Sequence, residues 1–210
     1  MRLFKKRSDS QRGVVLVEMA LVAPILILLV IGIMEFGLAF RDRLTVSNGT
    51  QSAGRVAAAL GNSDDSDMAV LQAVEQSLGI LPGSGGGIIK HVQIWKSNGA
   101  GAPVTACGAV GSGGSNCNWY EYDPSLPCNW NPCPDPNNGS PPVYGGGFTP
   151  AGRDVTLDSG GLDTVGITVL FAHNWITGIM PLADVTCASN GSNCWTDTAL
   201  FRLEPQNFGS

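Results

Sequence analysis

The feature that most constrains this chain is an apolar run over residues 14–40 that carries one carboxylate near its start. Gly13 precedes the run, and Glu18 occupies the fifth position after that glycine. As a helix the run would measure roughly 40 Å, which is enough to cross a hydrocarbon core of about 30 Å. Burying a carboxylate in hydrocarbon costs several kcal/mol, so Glu18 needs a compensating partner.

Charge is distributed unevenly on the two sides of the run, although the net charge is only -5. The residues before it include five that are basic and one that is acidic: Arg2, Lys5, Lys6, Arg7 and Arg12 against Asp9. From Leu44 onward acidic residues predominate, with Arg41 and Arg43 just before them. Basic residues before a span favour a cytoplasmic N-terminus and an extracytoplasmic body. The acidic body also argues against nucleic acid as a partner, because phosphate binding needs a basic face.

A cleavable secretory signal is the alternative explanation of the run. Such a signal has an apolar region of about 7–15 residues followed by a small-x-small cleavage site. The run here is longer and ends in Phe40-Arg41-Asp42-Arg43, which lacks that site. The sequence therefore favours a permanent span.

The remaining elements predict an α+β fold, in which a long N-terminal helix packs on a small antiparallel sheet. A helix is expected over residues 14–60, with a kink at Pro24 and a stop at Gly61-Asn62. The acidic cluster at 63–67 begins a second helix that ends at Leu81-Pro82-Gly83, and helix capping is favoured there over a calcium loop.

Three strands are expected in the second half of the chain. Their predicted bounds are 88–96, 163–173 and 198–203, and the second alternates most clearly between apolar and polar residues. Residues 100–150 carry most of the prolines and are expected to form a long irregular loop region.

Six cysteines, all after residue 100, are typical of an oxidising compartment. They occur as near neighbours in the sequence, which favours local disulfides: Cys107 with Cys117, Cys128 with Cys133, and Cys187 with Cys194. A zinc site is the alternative, but only Cys128 and Cys133 have a suitable spacing, and His91 and His173 are the only histidines. We expect disulfides, no metal and no cofactor.

Two further groups of residues leave alternatives open. Aromatic residues cluster in the Cys-rich region, either as a small core over the disulfides or as an adhesive surface: Trp119, Tyr120, Tyr122, Trp130 and Tyr144.

Glu35 is expected at the outer membrane interface, where an ion pair with Arg41 or Arg43 is favoured over a second assembly contact. The sequence contains no catalytic signature or phosphate-binding loop, so we expect that the protein is not an enzyme.

Residues 12–40 resemble a class III, prepilin-type signal: a basic leader, Gly13, an apolar stretch and Glu18. The segment 13–40, with its stretches 17–24 and 32–37, resembles the TadE/TadG-like family of Tad (Flp) type IV pilus systems, and the small-residue-and-Arg stretch 53–57 is similar to one common after that helix. The ending Arg202-Leu203-Glu204-Pro205 resembles that of longer members. The resemblance covers about residues 12–60.

The resemblance implies a minor pilin or pseudopilin that works with a prepilin peptidase and other Tad pilus subunits. Cleavage between Gly13 and Val14 would leave a new amine on Val14, and Glu18 of a neighbouring subunit would neutralise it in a helical bundle. The expected organisation is a cytoplasmic leader (1–13), a transmembrane and extended helix (14–60) and an extracytoplasmic α+β domain (61–210). The alternative is a permanently anchored surface-binding protein with a disulfide-stapled ectodomain.

Overall fold

A single long helix leads into an α+β domain, as the sequence predicts. The structure is a computed structural model, and it describes residues 10–78, 88–105, 107, 114–137, 142–157, 161–173, 175, 187 and 194–206. Its described α-helices are α1 (Ser10–Leu60) and α2 (Ser66–Leu78), and a short 3-10 helix covers Pro150–Gly152. Its five strands are β1 (Ile89–Lys96), β2 (Cys117–Tyr122), β3 (Trp130–Asn131), β4 (Thr164–Phe171) and β5 (Trp195–Arg202). The predicted end of the second helix at 81–83 lies outside the described residues.

Helix α1 continues through Pro24 and ends where the sequence predicts. Gly61 follows the last helical residue with a φ of 53°, a left-handed conformation that glycine adopts without steric cost. Its N–H donates to the carbonyl of Ala57 over 3.0 Å, which satisfies one of the carbonyls left open at the helix end.

The sheet is antiparallel, with the strand order β3-β2-β1-β4-β5. The expectation that residues 100–150 are irregular is wrong at β2 and β3, which extend the sheet beyond β1. The first four residues of β2 are all buried, so this strand lacks the apolar–polar alternation by which a half-exposed strand is recognised. The three predicted strands correspond to β1, β4 and β5, and β5 begins three residues earlier than predicted.

The main core lies between one face of the sheet and the two helices. Val92 and Ile94 of β1 face Val169 and Ile167 of β4, and all four side chains are fully buried. Helix α2 contributes Val70, Leu71 and Val74, and helix α1 contributes Val46, Ala53 and Ala57.

Two glycines of α1 let neighbouring elements approach the helix closely. A Cβ on Gly54 would lie 2.0 Å from the ring of Phe201 in β5, and one on Gly49 would lie 2.0 Å from Oγ of Ser77 in α2. Interior glycines cost a helix about 1 kcal/mol relative to alanine, and here that cost is offset by close packing.

Candidate functional site

The N-terminal half of α1 carries the residues that the sequence singles out, and it buries no side chain against the part of the domain that the structure describes. No residue from 13 to 34 is buried, and the apolar side chains are well exposed, as with Val14 at 59%. Within the described residues, Gly13–Leu60 contains the one helical stretch that is long and apolar enough to cross a membrane. We call residues 13–34 the anchor half of α1.

Gly13, Val14 and Glu18 lie on one uninterrupted stretch of helix. Val14 and Glu18 are four residues apart, so their side chains lie on the same face, one turn from each other. A Cβ added to Gly13 would meet nothing within 4 Å, so this glycine is not required for packing. Glu18 is exposed and has no partner among the described residues. Residues 1–9, which hold most of the basic leader, lie outside the described part of the chain.

The second half of α1, residues 35–60, packs against the domain along one stripe. The buried positions recur every three or four residues, which is the spacing of one helix face: Glu35, Ala39, Asp42, Val46, Gly49, Thr50, Ala53, Gly54, Ala57 and Ala58. We call residues 35–60 the packed half of α1. The change from anchor half to packed half falls within a single residue step, between Met34 and Glu35.

Polar and aromatic groups fill the junction where the packed half begins. Glu35, which was expected at the membrane interface, is only 2% exposed and belongs to the buried stripe. Two turns further on, Asp42 pairs with His173, with Oδ2 and Nδ1 2.6 Å apart. The His173 ring stacks on Trp195 and meets the edge of Trp175, which in turn contacts Phe36.

A second buried polar cluster joins α2 to the sheet and to the loop before β4. Asp67, in the first turn of α2, forms an ion pair with Arg153, and both side chains are fully buried. The Tyr120 hydroxyl donates to Asp67 over 2.6 Å, and the Asn118 amide donates to the same carboxylate over 2.8 Å. Burial, reinforced by the charge of Asp67, raises the pKa of Tyr120 well above its ordinary value of 10.0.

This Asp67–Arg153 cluster was missed at the sequence level, where Asp67 was assigned only to helix capping. One signal was available, because Arg153 is the only Lys or Arg between residues 97 and 161. A lone cation in a Gly- and Pro-rich loop is a candidate for a buried pair. The partner was not identifiable from sequence, since Asp67 lies 86 residues away.

The cysteines of the structure form three disulfides, each between near neighbours: Cys107–Cys117, Cys128–Cys133 and Cys187–Cys194. Three of the five aromatic residues of this region are buried. Tyr120 and Trp130 are fully buried, and Trp119 donates from Nε1 to His91 Nδ1 over 3.3 Å. Trp119, Tyr120 and Trp130 therefore belong to the core, whereas Tyr122 and Tyr144 are half-buried, so the alternative of an adhesive surface remains only for these two.

The geometry defines a class: a membrane-length apolar helix continuous with a disulfide-bonded α+β domain. Residues 13–55 match the family model described as TadE-like protein, which confirms the resemblance over that range. The matched residues include Gly13, Val14, Glu18, the whole anchor half and most of the packed half. No curated protein and no solved structure matches the chain, so the comparisons assign no role to the residues after 55.

Proposed function

We propose that this protein is a pseudopilin of a Tad (Flp) pilus, anchored by α1 with its N-terminus in the cytoplasm and its domain outside. The observation that carries the proposal is the exposed anchor half, a helix of roughly 32 Å with no residue buried against the described part of the domain. Such a helix is stable in a bilayer and is available to pack against the helices of other subunits. The TadE-like match over this same helix supports the assignment. The role is structural rather than catalytic.

The position of Glu18 fits removal of the leader by a prepilin peptidase. Cleavage after Gly13 creates an ammonium group on Val14, one helical turn from Glu18. In a low-dielectric bundle an unpaired carboxylate is costly, and the same carboxylate beside an ammonium is strongly stabilised. During assembly Glu18 would therefore pair with the new N-terminal ammonium of a neighbouring subunit and so align the two helices.

The test compares two glycines that share one helix. A Cβ meets nothing within 4 Å at Gly13 or at Gly37, so Gly13→Ala and Gly37→Ala should both leave the fold intact. Each variant is produced with a prepilin peptidase, and the intact mass and N-terminal sequence are measured. We expect wild type and Gly37→Ala to begin at Val14, and Gly13→Ala to keep its leader. Assembled pili containing a chain that starts at Met1 would refute processing.

A second measurement separates assembly from processing. Glu18→Ala should still be cleaved at Val14, but its incorporation into pili should fall at least tenfold. Leu16→Ala, on the same exposed helix, is the control and should incorporate normally. Wild-type levels of Glu18→Ala in sheared pili would refute the pairing role. They would leave the alternative, a permanently anchored protein whose domain binds a surface ligand, as the better account.

A further inference from the structure

A groove lies at the junction between the anchor half and the domain. It is lined on one side by Phe36, Ala39 and Phe40 of α1, and on the other by Phe171, Trp195 and Thr196 at one end of the sheet. Its volume is about 440 Å³, and Cys194 and Arg43 complete the lining. The walls are therefore largely apolar, with a single cation.

The groove falls at the level of a membrane surface. About 20 helical residues span a hydrocarbon core. Twenty residues that begin at Val14, or at Met19 just after Glu18, place the far edge of the core between residues 33 and 38. Phe36, Ala39 and Phe40 then lie at that edge, and Arg43 lies beyond it with a side chain that leans back towards the helix N-terminus.

The exposed groups in the groove match the two parts of a phospholipid. Phe36 and Phe40 remain about 60% exposed, although they are large apolar side chains. Within the described part of the chain no carboxylate pairs with Arg43, so its guanidinium is open to a phosphate. Aromatic residues and arginines are the residue types that bind at the interface between hydrocarbon and headgroups.

We propose that this groove holds a phospholipid of the adjacent leaflet, with an acyl chain against Phe36, Phe40 and Trp195 and the headgroup phosphate on Arg43. The inference rests on the membrane anchoring proposed above, and it is independent of leader cleavage and pilus assembly. A bound lipid would fix the depth at which the domain sits on the membrane.

Lipid retention tests the proposal. The full chain is reconstituted in bilayers of phosphatidylcholine mixed with phosphatidylglycerol, extracted in mild detergent and weighed by native mass spectrometry. We expect one retained phospholipid, enriched in phosphatidylglycerol. Arg43→Gln should weaken retention about fivefold, which corresponds to about 1 kcal/mol for one arginine at a membrane surface. Arg55→Gln removes the same charge from an exposed site on the packed half and should change nothing.

A second readout places the lipid in the groove. Phosphatidylcholine brominated on its acyl chains should quench part of the tryptophan fluorescence, and Trp195→Phe should remove much of that quenched part. Equal retention by Arg43→Gln and Arg55→Gln, no retained lipid, or a second copy of the chain in its place would each overturn the proposal. Insertion is checked separately by alkaline extraction of membranes. Loss of insertion would contradict the anchoring itself, whereas insertion without retained lipid would contradict only the groove.

Discussion

The two halves of α1 share one helix and differ in almost everything that surrounds them. The anchor half exposes apolar side chains on every side and buries none. The packed half buries one stripe, and beyond the exposed Phe36, Phe40 and Leu44 it presents polar residues on the opposite face, as at Asn48, Gln51 and Arg55. A helix that is apolar all round suits lipid or other helices, whereas a striped helix suits one fixed partner. The comparison shows that one continuous helix can suit both lipid and a folded domain when its apolar pattern changes from all-round to one-sided along its length.

The largest expected difference between the two regions concerns the buried ion pair of the domain, whose loss should lower the stability of the domain and leave the anchor half unaffected. Asp67→Ala leaves the buried guanidinium of Arg153 without its carboxylate, and breaking a buried pair in this way costs about 3–5 kcal/mol. Chemical denaturation in detergent, followed by tryptophan fluorescence, should show this loss, while membrane insertion stays unchanged. Glu204→Ala removes the same charge from an exposed site of the domain and should cost less than about 0.5 kcal/mol. Similar unfolding of the two variants would contradict the buried network.

A smaller loss of domain stability is expected when the same valine-to-alanine substitution is made in the packed half and not in the anchor half. Val46 is 1% exposed in the packed half, and Val22 is 48% exposed in the anchor half. Val46→Ala removes two buried methyl groups and leaves a cavity, which should lower the free energy of unfolding of the domain by about 2 kcal/mol. Val22→Ala should leave that free energy unchanged, because its side chain is exposed and is not buried against the described part of the domain. Equal losses in the two variants would mean that the anchor half is coupled to the domain core.

Alkaline pH should lower the free energy of unfolding of the domain and leave the anchor half unaffected. Near neutral pH this effect should be negligible. The chain has three tyrosines, and all lie in the domain. Burial raises the pKa of each, aided by the charge of Asp67 at Tyr120 and of Glu75 at Tyr122. The pKa of Tyr144 rises to about 12, because of burial and the nearby charge of Asp64.

The direction follows from linkage. The folded tyrosines hold their protons at a pH where the unfolded chain, with pKa values near 10, has begun to lose its own. Their contribution is therefore complete below pH 10 and is lost as the pH rises towards 12. Urea denaturation at increasing pH should show this decline, and Tyr144→Phe should make it shallower. A Tyr144→Phe profile as steep as that of wild type would contradict the prediction for this residue.

The sequence predicts α1, the start of α2 and strands β1, β4 and β5, because each has a periodic pattern or a terminating glycine. It fails at β2, where burial of consecutive residues removes the alternation of the pattern. It also fails to pair Asp67 with Arg153 and Asp42 with His173, whose partners are 86 and 131 residues apart. Contacts at that distance depend on the topology of the sheet, which local patterns do not contain.

The glycines of α1 illustrate the same limit. Read locally, Gly49 and Gly54 weaken the case for a helix. In the fold, α2 approaches α1 closely at Gly49 and β5 approaches it closely at Gly54. The need for glycine at these positions therefore depends on residues far away in the sequence. Gly37 has no such partner and lies near the change from anchor half to packed half.

The uninterrupted course of α1 across the boundary at residue 35 has a mechanical consequence. No loop separates the anchor half from the domain, so a tilt of the helix within the bilayer tilts the whole domain by the same angle. A pulling force on the domain would likewise pass directly to the anchor, because no slack segment extends first. From Pro24 onward the helix therefore transmits tilt and force to the domain, through the contacts of Asp42 with His173 and of Gly54 with Phe201.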